Sequence, residues 1–182
     1  MGKVFLDMAV SLDGFVSGPN GEDGGLHDWY FAPSGNATLI LDELLHDIGA
    51  MVLGKRAFGD QPDGFDTPYK VPHFVLSHEV RKRVTKGGAT FIFVTDGIES
   101  ALEQAKAAAG DKDVYVAGGA NVAQQYLRAG LLDEVQLHLV PVLFGKGLRL
   151  FEHLGTEQIN LERTRVIESS SATHIRFHII KG

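Results

Sequence analysis

Apolar residues along this chain fall into short runs of two kinds, separated by polar and glycine-rich stretches. Lys3 to Val10 sets Val4, Leu6, Met8 and Val10 on one side and Phe5, Asp7, Ala9 and Ser11 on the other, which predicts a strand. Ala50–Leu53, His73–Leu76, Phe91–Val94 and Val114–Ala117 are compact apolar runs that predict further, buried strands. Helical spacing appears between them. Asn36 to Ile48 carries Leu41, Leu44, Leu45 and Ile48 as an apolar stripe and stops at Gly49. A second helix has Ile98, Leu102 and Ala105 inward and ends at Gly110; Asp96 with Glu99 resembles a capping box at its start. A third has Val122, Ala123, Tyr126 and Leu127 and stops at Gly130. Asp133–Val140, Gln158–Glu168 and Ala172–Ile180 read as closing strands, with a turn at Ser169, Ser170 and Ser171. Strands separated by helices imply parallel crossovers, and the closing pair implies an antiparallel end. The expectation is an α/β fold with a mixed, mostly parallel sheet over residues 1–182 as one domain.

Candidate chemistry gathers where strands end. Gly118 and Gly119 follow a strand and precede a helix, so a ligand group can approach the backbone closely. The free N–H groups and partial positive charge of such a helix start suit a phosphate. The spacing is not G-x-G-x-x-G, and a tight turn without a ligand would have the same sequence. Gly54, Lys55 and Arg56 put two cations after the second strand, a suitable place for phosphate oxygens or a solvated basic turn. Gly49 to Arg56 nearly fits a P-loop, but Arg56 stands where Ser or Thr must hold Mg²⁺, and apolar strand replaces the loop. Asp7 is a carboxylate in an otherwise apolar strand, so it must be paired, protonated or facing a cavity. Gly18 to Gly25 forms a long loop leading to Trp29, Tyr30 and Phe31, which would line a pocket or pack as a satellite core. His138 and His178 sit in strand patterns and read as structural residues; no metal site is evident.

Composition narrows the classes. The chain has 182 residues, a net charge of −6 and no cysteine, which excludes disulfides and thiolate metal sites and argues against a nucleic-acid protein. Met1 to Val10 lacks the long apolar core of a signal peptide, so a cytoplasmic location is expected.

Four segments then stand in a recognisable order: Met8–Gly14 with its Ser-Leu-Asp-Gly, Val52–Arg56, Phe74–Ser77 and Val116–Asn121 with its Gly-Gly-Ala. With Leu127–Phe151 they make the whole chain resemble the dihydrofolate reductase superfamily. The resemblance is closest to the reductase domain of the bifunctional riboflavin-biosynthesis deaminase-reductase and its stand-alone relatives. That resemblance implies a three-layer α/β/α sandwich with an eight-stranded sheet and NADPH across the C-terminal strand ends. It also implies reduction of a small ring-containing substrate, as in a 5-amino-6-(5-phosphoribosylamino)uracil reductase. By position, Gly54, Lys55 and Arg56 would meet cofactor phosphates, Ser77 and His78 the adenosine end, and Gly118, Gly119, Ala120, Asn121 and Val122 the pyrophosphate. Ala9 would lie by the nicotinamide. Asp7, two residues earlier on the same face, is the candidate catalytic acid, its pKa raised by burial. Dihydrofolate reductase proper places an acid on its first helix; here that region is near Thr38, with Asp42 and Glu43 beyond. Dihydrofolate reduction, and nucleotide binding without turnover, stand as alternatives. Related reductase domains often pair, and the apolar residues around Trp29 to Phe31 add to the expectation of a homodimer.

Overall fold

The first strand is apolar on one face and, apart from Asp7 and Ser11, on the other, and it lies inside a sheet covered on both sides. A computed structural model describes residues 1–182. In chain order the elements are β1 (Val4–Ser11), β2 (Phe15–Ser17), α1 (Asp28–Phe31), α2 (Asn36–Asp47), β3 (Ile48–Gly54), α3 (Lys55–Phe58), β4 (Pro72–Leu76) and β5 (Val84–Lys86). There follow β6 (Ala89–Val94), α4 (Ile98–Ala109), β7 (Asp113–Val116), α5 (Ala120–Arg128), β8 (Glu134–Val140), β9 (Leu148–Arg149), β10 (Leu161–Glu168) and β11 (Thr173–Ile179). The main sheet runs β10-β11-β8-β1-β7-β3-β4-β6-β5. Pairings from β8 across to β6 are parallel; β10, β11 and β5 are antiparallel to their neighbours.

Strand alternation explains the layers. Val4, Leu6 and Val10 of β1 pack with Ala101, Leu102, Tyr126 and Ala123 under α4 and α5. Phe5 and Ala9, the intervening residues, pack with Trp29, Ile40 and Leu44 under α1 and α2. One strand thus feeds two cores, giving the expected α/β/α arrangement.

Several details differ from expectation. The sheet has 9 strands rather than eight. The added strand, β5, is Val-Thr-Lys just after Arg81-Lys82-Arg83, too short and polar to show alternation; its pairing to β6 defines it. A separate pair, β2 with β9, joins the Ser-Leu-Asp-Gly turn to the segment after β8. On α2 the buried positions are Ala37, Ile40 and Leu44, while Leu45 is exposed and Ile48 already belongs to β3. Packing against the sheet, not the count of leucines, selects that face. Gly49 therefore caps no helix; it lies in β3, where a Cβ would come within 2.8 Å of Ala109 backbone atoms. The capping box at Asp96 does not form either: Gly97 holds the cap position of α4 and no side chain bonds there. No helix is long and apolar enough to cross a membrane.

Candidate functional site

The chain leaves β1, builds β3, β4 and β6 on one side, and returns to insert β7 between β1 and β3. Connections on the two sides of such a switch point diverge, leaving a crevice at the C-terminal strand ends. A cavity of about 560 Å³ opens there. Its floor comes from strands: Asp7 and Ala9 of β1, Met51 and Leu53 of β3, and Tyr115 and Ala117 at the end of β7. Its walls are Trp29 and Tyr30 of α1 on one side and Thr67 and Tyr69 from the loop before β4 on the other. Trp29 is buried, and its ring lies 4.0 Å, centroid to centroid, from that of His138. Tyr69 stands edge-on to Tyr115 at 5.8 Å.

Register explains why Asp7 is held here. β8 lies beside β1 with Gln136 opposite Asp7 and His138 opposite Ala9; β11 then sets Arg176 beside Gln136 and His174 beside His138. One row of polar side chains thus crosses three strands on one face, and a second row, His138 and His174, crosses two. Asp7, only 3% exposed, accepts hydrogen bonds from Gln136 Nε2 (2.7 Å), His138 Nε2 (2.8 Å) and the Tyr115 hydroxyl (3.0 Å). Arg176 Nε donates to Gln136 Oε1 at 2.7 Å, fixing the amide so that its NH₂ faces the carboxylate.

Burial alone pushes the Asp7 pKa up. The charge of His138 and the three hydrogen bonds outweigh it and hold Asp7 below the ordinary carboxylate value. The expected raised pKa is thereby corrected: Asp7 is a buried carboxylate, not a neutral acid holding a proton. Tyr115 shifts the other way. Burial, and then the adjacent Asp7, push its phenol well above the ordinary value, so it remains a donor.

His138 is a satisfied strand residue, as expected, and it also lines the cavity. Its Nδ1 lies 2.7 Å from His174 Nδ1, and His174 Nε2 lies 2.9 Å from Ser169 Oγ. Burial, then repulsion from His138, lowers the His174 pKa to about 4, so that ring is neutral. Ser169 Oγ can donate to the Ala172 carbonyl at 3.0 Å, His174 Nε2 to Ser169, and His138 Nδ1 to His174. Both His138 ring nitrogens are thus engaged, Nε2 by Asp7 and Nδ1 by His174. His178, by contrast, is exposed on β11 and lines nothing.

The glycine-rich strand ends meet one another beside the cavity. Gly54 N–H donates to the Gly118 carbonyl at 2.8 Å, and a Cβ on Gly54 would come within 2.9 Å of Val122. Gly118 has φ +94°, and a Cβ there would reach 2.6 Å from Met8 Sδ, so glycine is required on both grounds. Gly119 lines the cavity at the start of α5. Val122 and Ala120 turn their side chains into the core, leaving only backbone for a ligand, and Asn121 is exposed with its Oδ1 taken by Gln125.

The cations divide. Lys55 Nζ donates to the Gly59 carbonyl at 2.7 Å and pairs with Asp60 at 3.3 Å, within its own turn. Arg56 is exposed, has no partner in the protein, and borders both the cavity and an adjoining groove lined by Ser17, Gly18 and Gly147. Ser77 spends its hydroxyl on a turn with Glu79, and His78 is exposed; neither borders the cavity. Of the residues singled out in the sequence, Asp7, Ala9, Arg56 and Gly119 are brought together in the cavity lining with Trp29, Tyr30 and Phe31. From α2 the cavity receives Leu44 and no carboxylate; Thr38 and Asp42 are exposed, and Glu43 pairs with Arg165 at 2.6 Å. Sequence reasoning gave no site role to Tyr115 or Tyr69 and read His138 as structural only. The signal for the last was present: Glu134, Gln136 and His138 alternate along one strand face, and inward polar residues at period two need a shared partner.

Comparison with known proteins agrees with this fold. The model of the RibD C-terminal domain matches residues 2–175. YyaP, an uncharacterised Bacillus subtilis protein, is 28% identical over 187 residues, covering 97% of this chain and 94% of that protein. Among solved structures, a Shewanella protein assigned to riboflavin biosynthesis superposes with a TM-score of 0.78 at 22% identity, covering 98% of this chain and 99% of that one. A Thermotoga maritima diaminohydroxyphosphoribosylaminopyrimidine deaminase/5-amino-6-(5-phosphoribosylamino)uracil reductase superposes with a TM-score of 0.68 at 15% identity. There 98% of this chain matches 57% of the larger protein. At these identities the structural matches speak to the fold.

Proposed function

Because this chain belongs to the RibD C-terminal domain family, we propose that it is an NADPH-dependent reductase of a small ring-containing substrate, in the manner of a riboflavin-pathway reductase. The observation that carries this reading is the cavity at the switch point, with a phosphate-type rim on one side and an aromatic slot on the other. The residues present fit a nicotinamide dinucleotide. Nothing stands within 4 Å of where a Cβ on Gly119 would lie, so a ligand can approach that backbone; Gly119 caps α5, whose first N–H groups are free, and Arg56 has no other partner. Such a cofactor supplies a hydride. The protein's own part is to bind and orient: Gly118, Gly119 and the start of α5 hold the pyrophosphate, and Ala9 leaves room for a flat ring. Trp29 and Tyr69 clamp the substrate ring, and Asp7 accepts a hydrogen bond from its N–H edge.

The test is loss of NADPH absorbance over a panel of pyrimidine and pteridine substrates. Oxidation with one of them supports the reading; NADPH binding without oxidation across the panel would point to a binding module. Cofactor choice gives a finer prediction. A charge-assisted hydrogen bond contributes roughly 1.5–3 kcal/mol, so Arg56 on the 2′-phosphate gives a preference for NADPH over NADH on the order of 10- to 100-fold. Arg56→Ala should narrow that gap. Lys55→Ala should change it less, because the Lys55 ammonium is already held by Gly59. Equal weakening of both cofactors would move Arg56 to the pyrophosphate. Equal affinity of the wild type for NADH and NADPH would remove the assignment.

A further inference from the structure

The inner cavity has no place for a phosphate. Of its 23 lining residues 15 are hydrophobic, and Arg56 is the single Lys or Arg among them. Arg56 stands at the rim, shared with the adjoining groove, where the cofactor's phosphates are expected under the reading above. His138 is the one basic side chain at the floor, and both its ring nitrogens are engaged, one by Asp7 and one by His174. A phosphate dianion brought to this floor would lose its water and gain no cation. A flat neutral ring meets the opposite conditions. Trp29, Tyr69 and Tyr115 offer faces and edges for stacking. Asp7 has three of roughly four acceptor positions filled, which leaves one for a ligand N–H.

We propose that the substrate of this chain is an unphosphorylated planar heterocycle, uncharged at neutral pH, that sets an N–H edge against Asp7. This rests on the reductase reading for its chemistry and departs from the phosphoribosyl compound named for the Thermotoga maritima enzyme.

The chain has one tryptophan, Trp29, so a proton–nitrogen correlation spectrum contains a single indole signal, and that signal belongs to the cavity wall. The experiment titrates the intact chain, with NADP⁺ present, with a matched pair: 5-amino-6-(ribosylamino)uracil and its 5-phosphate. The expected result is that the unphosphorylated compound moves the indole signal with at least tenfold tighter binding than the phosphate. Equal or tighter binding of the phosphate overturns the proposal, as does no movement with either compound at millimolar concentration. The two claims separate cleanly. Binding of the unphosphorylated ring without NADPH oxidation by any substrate sinks the reductase reading and leaves the ligand class standing. NADPH oxidation with the phosphate alone does the reverse.

Discussion

Replacing Asp7 with alanine is expected to destabilise the fold by about 3–5 kcal/mol, the range for breaking a buried ion pair. The loss has a definite origin. Tyr115, Gln136 and His138 all aim donors at this one carboxylate, and none has a second acceptor within reach for the same hydrogen. Alanine would leave three buried donors unmatched, one of them on the His138 ring beneath Trp29. Asp7→Asn keeps the shape but turns an NH₂ towards donors and removes the charge, so it should cost less than alanine and still more than about 1 kcal/mol. Urea unfolding is the measurement, with the alanine midpoint falling by roughly 1–5 M given slopes of about 1–3 kcal/mol per molar. A shift worth under 1 kcal/mol for alanine would show that the network is not coupled as its distances imply. The pH dependence has a fixed sign. Asp7 titrates below its ordinary value of 3.8 in the folded chain, so its contribution is present above that pH and is lost as pH falls through the lower folded value.

Acid should also destabilise the protein at a milder pH, through His73. This ring is fully buried against Phe91, its centroid 4.8 Å away, with Nδ1 bonded to the Val71 carbonyl at 2.8 Å and Nε2 without a partner. Burial lowers its pKa from 6.5 to about 4, against a smaller opposing effect of the Val71 bond. The unfolded chain therefore takes up this proton first. Stability is intact above pH 6.5 and is lost progressively as pH falls towards about 4. At about 1.4 kcal/mol per pKa unit, the loss from this one residue is on the order of 3 kcal/mol. His73→Leu should lower stability at neutral pH yet flatten the profile below pH 6 by about one proton, or roughly 1.4 kcal/mol per pH unit. Parallel profiles for wild type and variant would rule His73 out as the source.

The sequence was most legible where one strand carries one pattern. β1, β8 and the run from β7 through Gly118–Gly119 into α5 were placed nearly to the residue, because alternation, apolar runs and glycine stops are local signals. β5, β2 and β9 were missed because each is two or three residues long and exists through its partner. The stripe on α2 was misread for a related reason: leucines outnumber Ala37 and Ile40, but the sheet selects the face. At the site, Asp7 stood out as an acid among apolar neighbours, yet its state was read backwards. Desolvation is visible from a sequence, since it follows from burial. The opposing terms come from Gln136, His138 and Tyr115, which lie more than 100 residues away and reach Asp7 only through the order β8-β1-β7. The turn cations show the same limit. Lys55 and Arg56 are equal in the sequence, and only the path of the chain to Gly59 and Asp60 ties one down and leaves the other free.

The central claim is that a nicotinamide dinucleotide lies along the C-terminal ends of β1, β7 and β3 with its reactive ring in the Asp7 cavity. A crystal structure of the chain grown with NADP⁺ tests it most directly. The account predicts the pyrophosphate at Gly118, Gly119 and the start of α5, Arg56 on a phosphate, and the nicotinamide in van der Waals contact with Ala9. A cofactor bound elsewhere on the surface, or a nicotinamide directed away from Ala9 and Asp7, would contradict it.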